Sequence, residues 1–262
     1  MFVAFDLETT GLVPGRDRIV EIGAVRFTLE RDLADWEELV DPGVPIQPAA
    51  QAVNRISDAM VRGRPPVAEA LPRFLSFLGD GIPVAHNAPF DVGFLSRDLV
   101  RLGLPAPAAP VLDTRTLAQK AWPRRQSYAL AALAAAYTAG GAGVHRACAD
   151  AVACAALLRA VLARLDPLGG KTVGEIASRV APLDLGGKAP RTATLVEALQ
   201  AARDAGGTVE IRYQNGRGEA TERRIAPLEI LIEHGKPAVE AFCHLRGEKR
   251  TFYLERIEDI RT

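Results

Sequence analysis

The chain has 262 residues, of which 48% are apolar, and its 32 basic residues balance its 32 acidic residues. This length suits one large or two modest domains with enough apolar content for a core. The charge balance excludes a surface that is basic all over, although arginines along a single groove would not show in it. No stretch reaches the ~18 apolar residues of a membrane span.

Three scattered cysteines form no Cys-x-x-Cys pair and fit free thiols in a reducing cytosol. The sequence starts with a strand-like stretch and shows no basic, signal-like segment there. We therefore expect a cytoplasmic protein that does not associate with a membrane.

The first predicted element, residues 2–7, is a short buried strand that is apolar except for Asp6. Glu8 follows two positions later, and side chains two residues apart on a strand project from the same face. Two converging carboxylates near a core are costly unless a cation lies between them. An isolated Asp-x-Glu pair is more often structural, with Asp6 capping a turn and Glu8 facing solvent.

The following elements predict an α/β domain. After a turn, strands at 19–29 and 36–40 form an antiparallel meander with the first strand, and residues 42–64 are irregular and proline-rich. Strands then alternate with helices, which indicates a mixed sheet. The predicted strands are 82–85 and 111–113, and the predicted helices are 67–78, 90–102, 114–121, 128–137 and 147–165.

Three further acceptor groups stand at the ends of these elements. Asp91 ends the motif His-Asn-Ala-Pro-Phe-Asp behind a predicted strand, and His145 and Asp150 flank the start of an Ala-rich helix. If His145 and Asp150 lay on one helix, five residues apart, their side chains would point ~140° away from each other around the helix axis. We therefore place His145 in the Gly-rich loop before the helix and Asp150 in its first or second turn.

Four carboxylates and one imidazole are the groups that a phosphodiesterase dependent on hard cations needs. Oxygen ligands hold two Mg²⁺ or Mn²⁺ ions. A neutral histidine takes a proton from the attacking water.

With these motifs the chain resembles the DEDDh 3′–5′ exonucleases, which include the polymerase proofreading subunit, ribonuclease T and oligoribonuclease. The resemblance covers residues 1–165, through Phe-Asp-Leu-Glu-Thr-Thr-Gly at 5–11, His-Asn-Ala-Pro-Phe-Asp at 86–91 and His-x-x-x-x-Asp at 145–150. It implies a ribonuclease H-like fold, in which helices flank a mixed five-stranded sheet.

The resemblance also implies roles for the five groups. Asp6 would bridge two metal ions, Glu8 and Asp150 would complete one site, and Asp91 would help the other. His145 would be the general base. The residues that the family places near the 3′ end of the substrate are Thr9, Thr10, Gly11, Leu12, Asn87 and Phe90.

Five neighbours of these groups also have structural interpretations. Thr9 and Thr10 could simply form the turn, and Phe90 could belong to the core. His86 is expected to make a structural hydrogen bond. Asp113 is expected to cap a helix, which is more common for an acid at that place than a fifth metal ligand.

Residues 167–189 are rich in Pro and Gly and predict a linker between a domain at 1–166 and another at 190–262. The second domain is predicted to be a small β-barrel with one helix and four or five short strands. Asn215-Gly216 is a signal for a two-residue hairpin turn. The helix is 195–205, and the strands are 208–213, 222–232, 238–245 and 250–254.

This second domain resembles a WYL domain. The resemblance rests on Ile-Arg-Tyr at 211–213, Arg-Ile-Ala-Pro at 224–227 and the segment 250–257, but Pro-Ala-Val at 237–239 stands where the family has Trp-Tyr-Leu. Arginines could form a phosphate-binding patch here, with aromatic rings for stacking on bases. The candidates are Arg224, Arg250 and Arg256, with Tyr213 and Phe252. Ordinary ion pairs with nearby glutamates explain the arginines equally well.

The sequence thus predicts a metal-dependent exonuclease that removes nucleoside monophosphates from the 3′ end of single-stranded DNA, in repair or proofreading, with a polymerase or repair complex as partner. One alternative is an RNA exonuclease or oligoribonuclease, because nothing in the motifs reports the 2′-hydroxyl. The other is a WYL-type ligand-sensing regulator, which would have no need of His145.

Overall fold

A computed structural model describes residues 1–138, 146–167, 175, 191–215, 219–233 and 236–261. The chain divides into two compact units. The first comprises Met1–Gly11 and Asp17–Gly187, and the second comprises Leu12–Arg16 and Lys188–Thr262. Of the predicted linker, only positions 167 and 175 lie within the described residues.

The first unit contains a five-stranded sheet in the order β3-β2-β1-β4-β5. The pairs β1–β2 and β2–β3 are antiparallel, whereas β1–β4 and β4–β5 are parallel. The predicted mixed five-stranded sheet is therefore confirmed. Its strands are β1 (Phe2–Thr9), β2 (Ile19–Phe27), β3 (Asp32–Leu39), β4 (Ile82–Ala85) and β5 (Leu112–Asp113).

Helices cover both faces of this sheet. The described ones are α1 (Pro48–Asn54), α2 (Asp58–Val61), α3 (Val67–Leu78), α4 (Pro89–Leu102), α5 (Thr114–Ala121), α6 (Leu130–Tyr137) and α7 (Ala147–Leu165). Most bounds agree with the predicted ones to within two residues. None of these helices, nor any other in the part of the chain that the structure describes, is long and apolar enough to cross a membrane.

The expectation of an irregular segment at 42–64 was wrong, because α1 and α2 lie within it. Pro48 stands in the first turn of α1, where its missing N–H would have had no helical partner. Ile46, Ile56 and Val61 bury their side chains with Val20 of β2 in a small core of their own. This burial, which has no regular sequence period, holds the two short helices.

The alternation of β1 decides which way its acids point. Val3, Phe5 and Leu7 pack toward α3 and α4, whereas Phe2 and Ala4 pack toward α5, α6 and α7. Even-numbered positions of this strand therefore face α7. Asp6 and Glu8 continue that series, so both carboxylates lie on the face that α7 covers.

In its described residues, the second unit has one helix and an antiparallel sheet in the order β10-β6-β7-β8-β9. Its core includes Leu199 of the helix, Ile211 and Val239 of the sheet, and Val13. Closure of the sheet into a barrel stays a prediction. The elements are α8 (Arg191–Asp204), β6 (Val209–Gln214), β7 (Ala220–Glu233), β8 (Lys236–Cys243), β9 (Glu248–Tyr253), a 3₁₀ turn (Leu254–Arg256) and β10 (Ile257–Arg261).

The predicted two-residue turn at 215–216 was wrong. Strands β6 and β7 pair Gln214 with Ala220, so the connection is longer. Asn215 closes it, because its backbone N–H donates to the Glu219 carbonyl at 2.9 Å and its side-chain Oδ1 accepts from Glu219 N at 3.0 Å. The asparagine is thus a loop-closing residue, and Gly216, the other residue of the predicted turn, lies outside the described residues.

Candidate active site

Three of the predicted acids come together at the carboxyl end of β1. Asp6, Glu8 and Asp150 each present a carboxylate oxygen, and these oxygens lie within 4.8 Å of one another. Asp150 stands in the first turn of α7, as predicted, and α7 packs on the β1 face that carries the other two acids. Strand alternation and the position of one helix therefore build the cluster.

Asp91 joins this group from the other side of β1. It lies in the first turn of α4 and is only 2% exposed. Its Oδ1 accepts a hydrogen bond from the backbone N–H of Leu7 at 3.1 Å. Because Leu7 is the residue between Asp6 and Glu8, this bond fixes the fourth carboxylate beside the strand segment that carries two of the others.

Burial and mutual repulsion oppose ionisation of Asp6, Glu8 and Asp91. Burial raises the pKa of Glu8 to about 8, and the charges of Asp150 and Glu21 add to the effect. A hydrogen bond from Asn54 and the positive charge of Arg146 oppose it.

The other two strongly affected acids follow the same logic. Burial, then the charges of Asp91, Glu8 and Asp150, hold the pKa of Asp6 well above its ordinary value. Burial also raises the pKa of Asp91, although backbone N–H groups, including that of Leu7, partly offset the rise.

The donor set fits a hard divalent cation. All four groups offer carboxylate oxygens, which Mg²⁺ and Mn²⁺ prefer over nitrogen or sulfur ligands. A cation among them would remove the repulsion that raises the pKa of Asp6 and Glu8. Asp6, Glu8 and Asp150 thus lie close enough together to bind one ion.

The turn after β1 is held by its own threonines. Thr9 Oγ1 donates to the carbonyl of Gly11, and Thr10 Oγ1 accepts from Arg18 N at 3.0 Å. A side chain at Gly11 would meet Gln47 and Asp17, since an added Cβ would lie 2.5 Å from an atom of each. These contacts give the threonines a turn-forming role, and their contact with substrate stays a prediction. Leu12 falls in the second unit.

Asn87 and Phe90 flank the start of α4. Asn87 has a left-handed backbone with φ 61°, and its Oδ1 accepts from Arg115 Nη1 at 2.6 Å. Phe90 packs against the core under α3 and α4, with its ring centroid 5.1 Å from that of Phe94. Phe90 therefore has the core contact that the sequence left open, and a substrate role for either residue stays a prediction.

The structural roles predicted for His86 and Asp113 are confirmed. His86 Nε2 lies 2.9 Å from the carbonyl of Tyr128, so this nitrogen carries a proton, and burial lowers the pKa of the ring. Asp113 is the N-cap of α5 and accepts from Arg115 N at 3.1 Å. Neither residue is available as a metal ligand in this arrangement.

His145 lies outside the described residues, which resume at Arg146. Its role as general base therefore stays a prediction. The motif His-x-x-x-x-Asp is represented in the structure by its second half, where Arg146 is the N-cap of α7 and Asp150 N donates to its carbonyl at 3.0 Å.

Sequence reasoning missed two features of the site. Asn54 is buried at the end of α1, where its Nδ2 donates to the carbonyl of Thr9 at 3.3 Å. Nothing in an irregular-looking segment pointed to it. Glu21 is fully buried beside Arg146. Its signal was present, because it is a single acid within the apolar strand Ile-Val-Glu-Ile, as Asp6 is within β1.

In the second unit, four of the five predicted accessory residues line one cavity of about 390 Å³. Arg224 does not line the cavity, whereas its neighbour on β7, Arg223, does. The Tyr213 ring meets the Phe252 ring edge-on, with centroids 5.0 Å apart. No acidic side chain stands among the described residues of the lining, whose charged and aromatic members are Arg223, Arg246, Arg250, Arg256, Tyr213, Phe252 and Tyr253.

The ion-pair alternative for these arginines has partial support. Arg250 Nη1 lies 3.5 Å from Glu248 on the same strand, and both side chains are exposed. A pair of this kind contributes little, because water screens it and both chains lose freedom. It does not remove Arg250 from the cavity wall.

Comparison with known proteins agrees with this geometry. The sequence model of a family described as exonuclease matches residues 3–158, and the model described as WYL domain matches residues 194–262. The chain belongs to the exonuclease family. Its resemblance to a WYL domain is confirmed as well.

The exonuclease relatives include much larger proteins. Over 177 residues the chain is 38% identical to a protein of Caldanaerobacter subterraneus subsp. tengcongensis named DNA polymerase III PolC-type, covering 68% of this chain and 13% of that protein. Over 184 residues it is 40% identical to a DNA polymerase III subunit epsilon-like protein of Rhodobacter capsulatus, covering 68% and 26%. The chain thus spans about an eighth and about a quarter of the length of these two relatives.

Solved exonuclease structures share the fold. Exonuclease X in complex with 5′ overhanging duplex DNA is 30% identical with a TM-score of 0.53, covering 71% of this chain and all of that one. A zinc-bound complex of Escherichia coli ExoI with single-stranded DNA has a TM-score of 0.55 at 18% identity, covering 92% and 54%. The second comparison supports the fold alone.

Proposed function

We propose that this chain is a metal-dependent 3′–5′ exonuclease that hydrolyses phosphodiester bonds at the 3′ end of single-stranded DNA and releases nucleoside monophosphates. The observation that carries the proposal is the cluster of Asp6, Glu8 and Asp150, with ligand oxygens within 4.8 Å, and Asp91 hydrogen-bonded to the strand between two of them. Relatives named as DNA polymerase III proteins support DNA as the substrate and a polymerase or repair complex as partner.

The four acids would hold two divalent cations, Mg²⁺ or Mn²⁺. When bound, such cations lower the pKa of water and stabilise negative charge on the phosphate and the leaving oxygen. The chain itself contributes the rest. Asp91, held by Leu7 N, and Asp150, held by α7, keep their carboxylates in place without reorganisation. His145 takes the proton of the attacking water.

The substrate end would bind beside the turn after β1. Thr9, Thr10 and Gly11 form a turn whose hydrogen bonds fix its shape next to the acids. A rigid turn can present backbone groups to the terminal 3′-hydroxyl. Contact of Leu12 with the last base stays a prediction from the family resemblance. Asn87, whose Oδ1 accepts a hydrogen bond from Arg115, and Phe90 at the start of α4 would also contact the substrate.

The second unit would bind backbone phosphates of single-stranded DNA. Four guanidinium groups around one cavity, with Tyr213 and Phe252 in its wall, are suited to backbone phosphates and stacked bases. Each lost phosphate contact should remove ~0.7 from the slope of log affinity against log salt on single strands. Arg224, outside the cavity, would contribute only as an exposed charge.

Single substitutions in the full chain test this part. Arg250→Gln and Arg256→Gln should weaken binding of a long single strand and flatten its salt dependence, without changing the rate at saturating substrate. Arg212→Gln is the matched control, because Arg212 is an exposed arginine of the same sheet that does not line the cavity and is paired with Glu258. Equal salt slopes for all variants would leave the cavity without a role in nucleic-acid binding.

Labelled single strands of DNA and RNA, in competition and with Mg²⁺ and then Mn²⁺, test the proposed activity itself. A 5′-labelled DNA strand should shorten one nucleotide at a time, with DNA consumed before RNA. Preferred cleavage of RNA would favour an RNA exonuclease or oligoribonuclease. Absence of cleavage for both, with a small molecule binding to the second unit, would favour a regulator.

A further inference from the structure

Glu21 places a fifth acid directly beside the proposed metal site. In the antiparallel pairing of β1 with β2, Glu21 stands opposite Glu8. Directly opposed residues of two strands project from the same face, and like charges in that relation repel. Glu21 is completely buried, so water does not screen its charge. An acid in this position requires specific partners.

Those partners belong to the start of α7. Arg146 donates to both Glu21 oxygens, with Nε at 3.0 and 3.1 Å and Nη2 at 2.5 Å from Oε1. The backbone N–H of Ala147 donates to Oε2 at 3.0 Å. Arg146 Nη2 also lies 2.9 Å from Glu37 of β3. One buried carboxylate therefore accepts the fork of the N-cap arginine and the first N–H of the helix.

The backbone of the helix approaches the sheet unusually closely at the same place. Gly23 stands opposite Asp6 in the pairing of β1 with β2. A Cβ at Gly23 would lie 2.1 Å from Cys148 N and 2.2 Å from the carbonyl carbon of Ala147. The missing side chain of Gly23 thus lets the first turn of α7 contact β2. The ion pair of Glu21 with Arg146 holds it there.

We propose that Glu21 and Arg146 form a clamp that positions the start of α7, and with it Asp150, against Asp6 and Glu8. The clamp acts through the helix, because Asp150 N donates to the carbonyl of Arg146. Glu21 and Arg146 are therefore positioning residues, not ligands. This inference rests on the metal site of the proposed function. The clamp itself would set the spacing of the metal ligands.

The test is Mn²⁺ binding by calorimetry on the full chain, together with kcat and KM on single-stranded DNA. Glu21→Gln replaces one acceptor oxygen with an amide donor that would face donors of Arg146 and Ala147. Arg146→Lys keeps the charge but loses the planar fork. Both should bind Mn²⁺ about 10–100-fold more weakly, which is the usual cost of losing a partner that orients a metal ligand.

In both variants kcat should fall while the KM for single-stranded DNA stays unchanged, because the clamp does not contact the substrate. Losses in the double variant should be smaller than the product of the single losses, since the two residues form one network. Arg146→Lys keeps the test decisive if Glu21→Gln does not fold.

Arg159→Gln is the matched control. Arg159 ties the same helix to the sheet farther along, with Nη2 2.7 Å from Asp32 and Nε 3.0 Å from the carbonyl of Thr28. It should lower thermal stability and leave Mn²⁺ affinity unchanged. The clamp is overturned if Glu21→Gln or Arg146→Lys, folded, binds Mn²⁺ and turns over as the wild type does. It is also overturned if Arg159→Gln loses as much affinity.

Mn²⁺ binding separates this inference from the proposed activity. If the wild type binds Mn²⁺ and the clamp variants bind it more weakly, but the wild type cleaves no single strand, the proposed substrate is wrong and the clamp stands. If the wild type cleaves single strands and clamp variants keep full Mn²⁺ affinity, the activity stands and the clamp is wrong.

Discussion

Asp91 and Asp113 have the same side chain and nearly the same burial, with 2% and 6% exposed, but different surroundings. The oxygens of Asp113 accept from three backbone N–H groups and one hydroxyl, which belong to Asn87, Ala88, Arg115 and Thr116. Protein donors thus occupy Asp113, whereas Asp91 stands beside Asp6 and raises its pKa. An acid becomes a candidate metal ligand here through the acids around it.

Replacing Asp113 should therefore destabilise the fold without affecting the metal site. Asp113→Ala removes a helix cap and should lower the free energy of unfolding by about 0.5–2 kcal/mol. Mn²⁺ affinity should stay within a few-fold of the wild type, measured by calorimetry. Asp91→Ala is the comparison, because it should abolish tight Mn²⁺ binding and lower stability less. A large loss of Mn²⁺ affinity in Asp113→Ala would make Asp113 a ligand after all.

His145→Ala should separate proton transfer from metal binding. As general base the histidine must be neutral, so the wild-type rate should rise with pH through ~6–7. The variant should lose roughly 10²–10⁴-fold in kcat and the pH dependence assigned to the ring. Its Mn²⁺ affinity should change little. Severe loss of Mn²⁺ binding would instead make His145 a ligand.

At the scale of elements, the site depends on how α7 meets β1 and β2. Strand alternation directs Asp6, Glu8, Glu21 and Gly23 to one face, and α7 covers that face. Helix and strands can meet this closely only because Gly23 has no side chain. The position of Asp150 is therefore a property of the contact between elements, not of its own motif.

Gly23→Ala tests this contact. The added methyl would collide with backbone of Ala147 and Cys148, which cannot rotate away as a side chain could. Overpacking of this kind should cost about 1–3 kcal/mol of stability and weaken Mn²⁺ binding. The measurements are urea unfolding and calorimetry.

Gly207→Ala is the control for Gly23→Ala. An added Cβ there would lie 3.6 Å from the carbonyl of Ala202, an ordinary contact. This variant should change stability by less than about 1 kcal/mol and leave Mn²⁺ affinity intact. Equal behaviour of the two variants would show that α7 tolerates displacement from β2.

The elements also show what the sequence could predict. Asp6 and Glu8 were predictable because strand alternation forces them onto one face, and Asp91 and Asp150 because their motifs end or begin regular elements. Glu21 carried the same local signal as Asp6, yet its role depends on Arg146, a residue distant in sequence. Helix α1 and its Asn54 were missed because burial in a small separate core, not a periodic pattern, holds that segment.

At the scale of the whole molecule, the acids couple stability to pH and metal. In the unfolded chain Glu8 loses its proton near its ordinary pKa of 4.5, whereas in the folded chain its pKa is raised to about 8. Between these values the folded form binds more protons than the unfolded form. The free energy of unfolding of the metal-free chain should therefore fall as the pH rises through this window.

Urea unfolding at about pH 5 and about pH 8 checks this prediction. Tryptophan fluorescence reports on the first unit, since Trp36 and Trp122 both belong to it. The loss of stability should be smaller in Glu8→Gln and should disappear with saturating Mn²⁺, which compensates the carboxylate charges. A metal-free chain that becomes more stable from pH 5 to pH 8 would contradict the electrostatics described for the site.

The most direct measurement of the proposed metal-dependent activity is the rate of shortening of a 5′-labelled single DNA strand by the full chain in Mn²⁺. It is compared with the rates in excess chelator and in Asp6→Ala, Asp91→Ala and Asp150→Ala, each shown to be folded by circular dichroism. The wild type should remove nucleotides from the 3′ end. Chelator and each substitution should reduce the rate by more than about 100-fold, since even outer partners of metal ligands cost 10–100-fold. A wild-type rate in any of the three variants, or shortening that persists in chelator, would contradict the assignment of these acids.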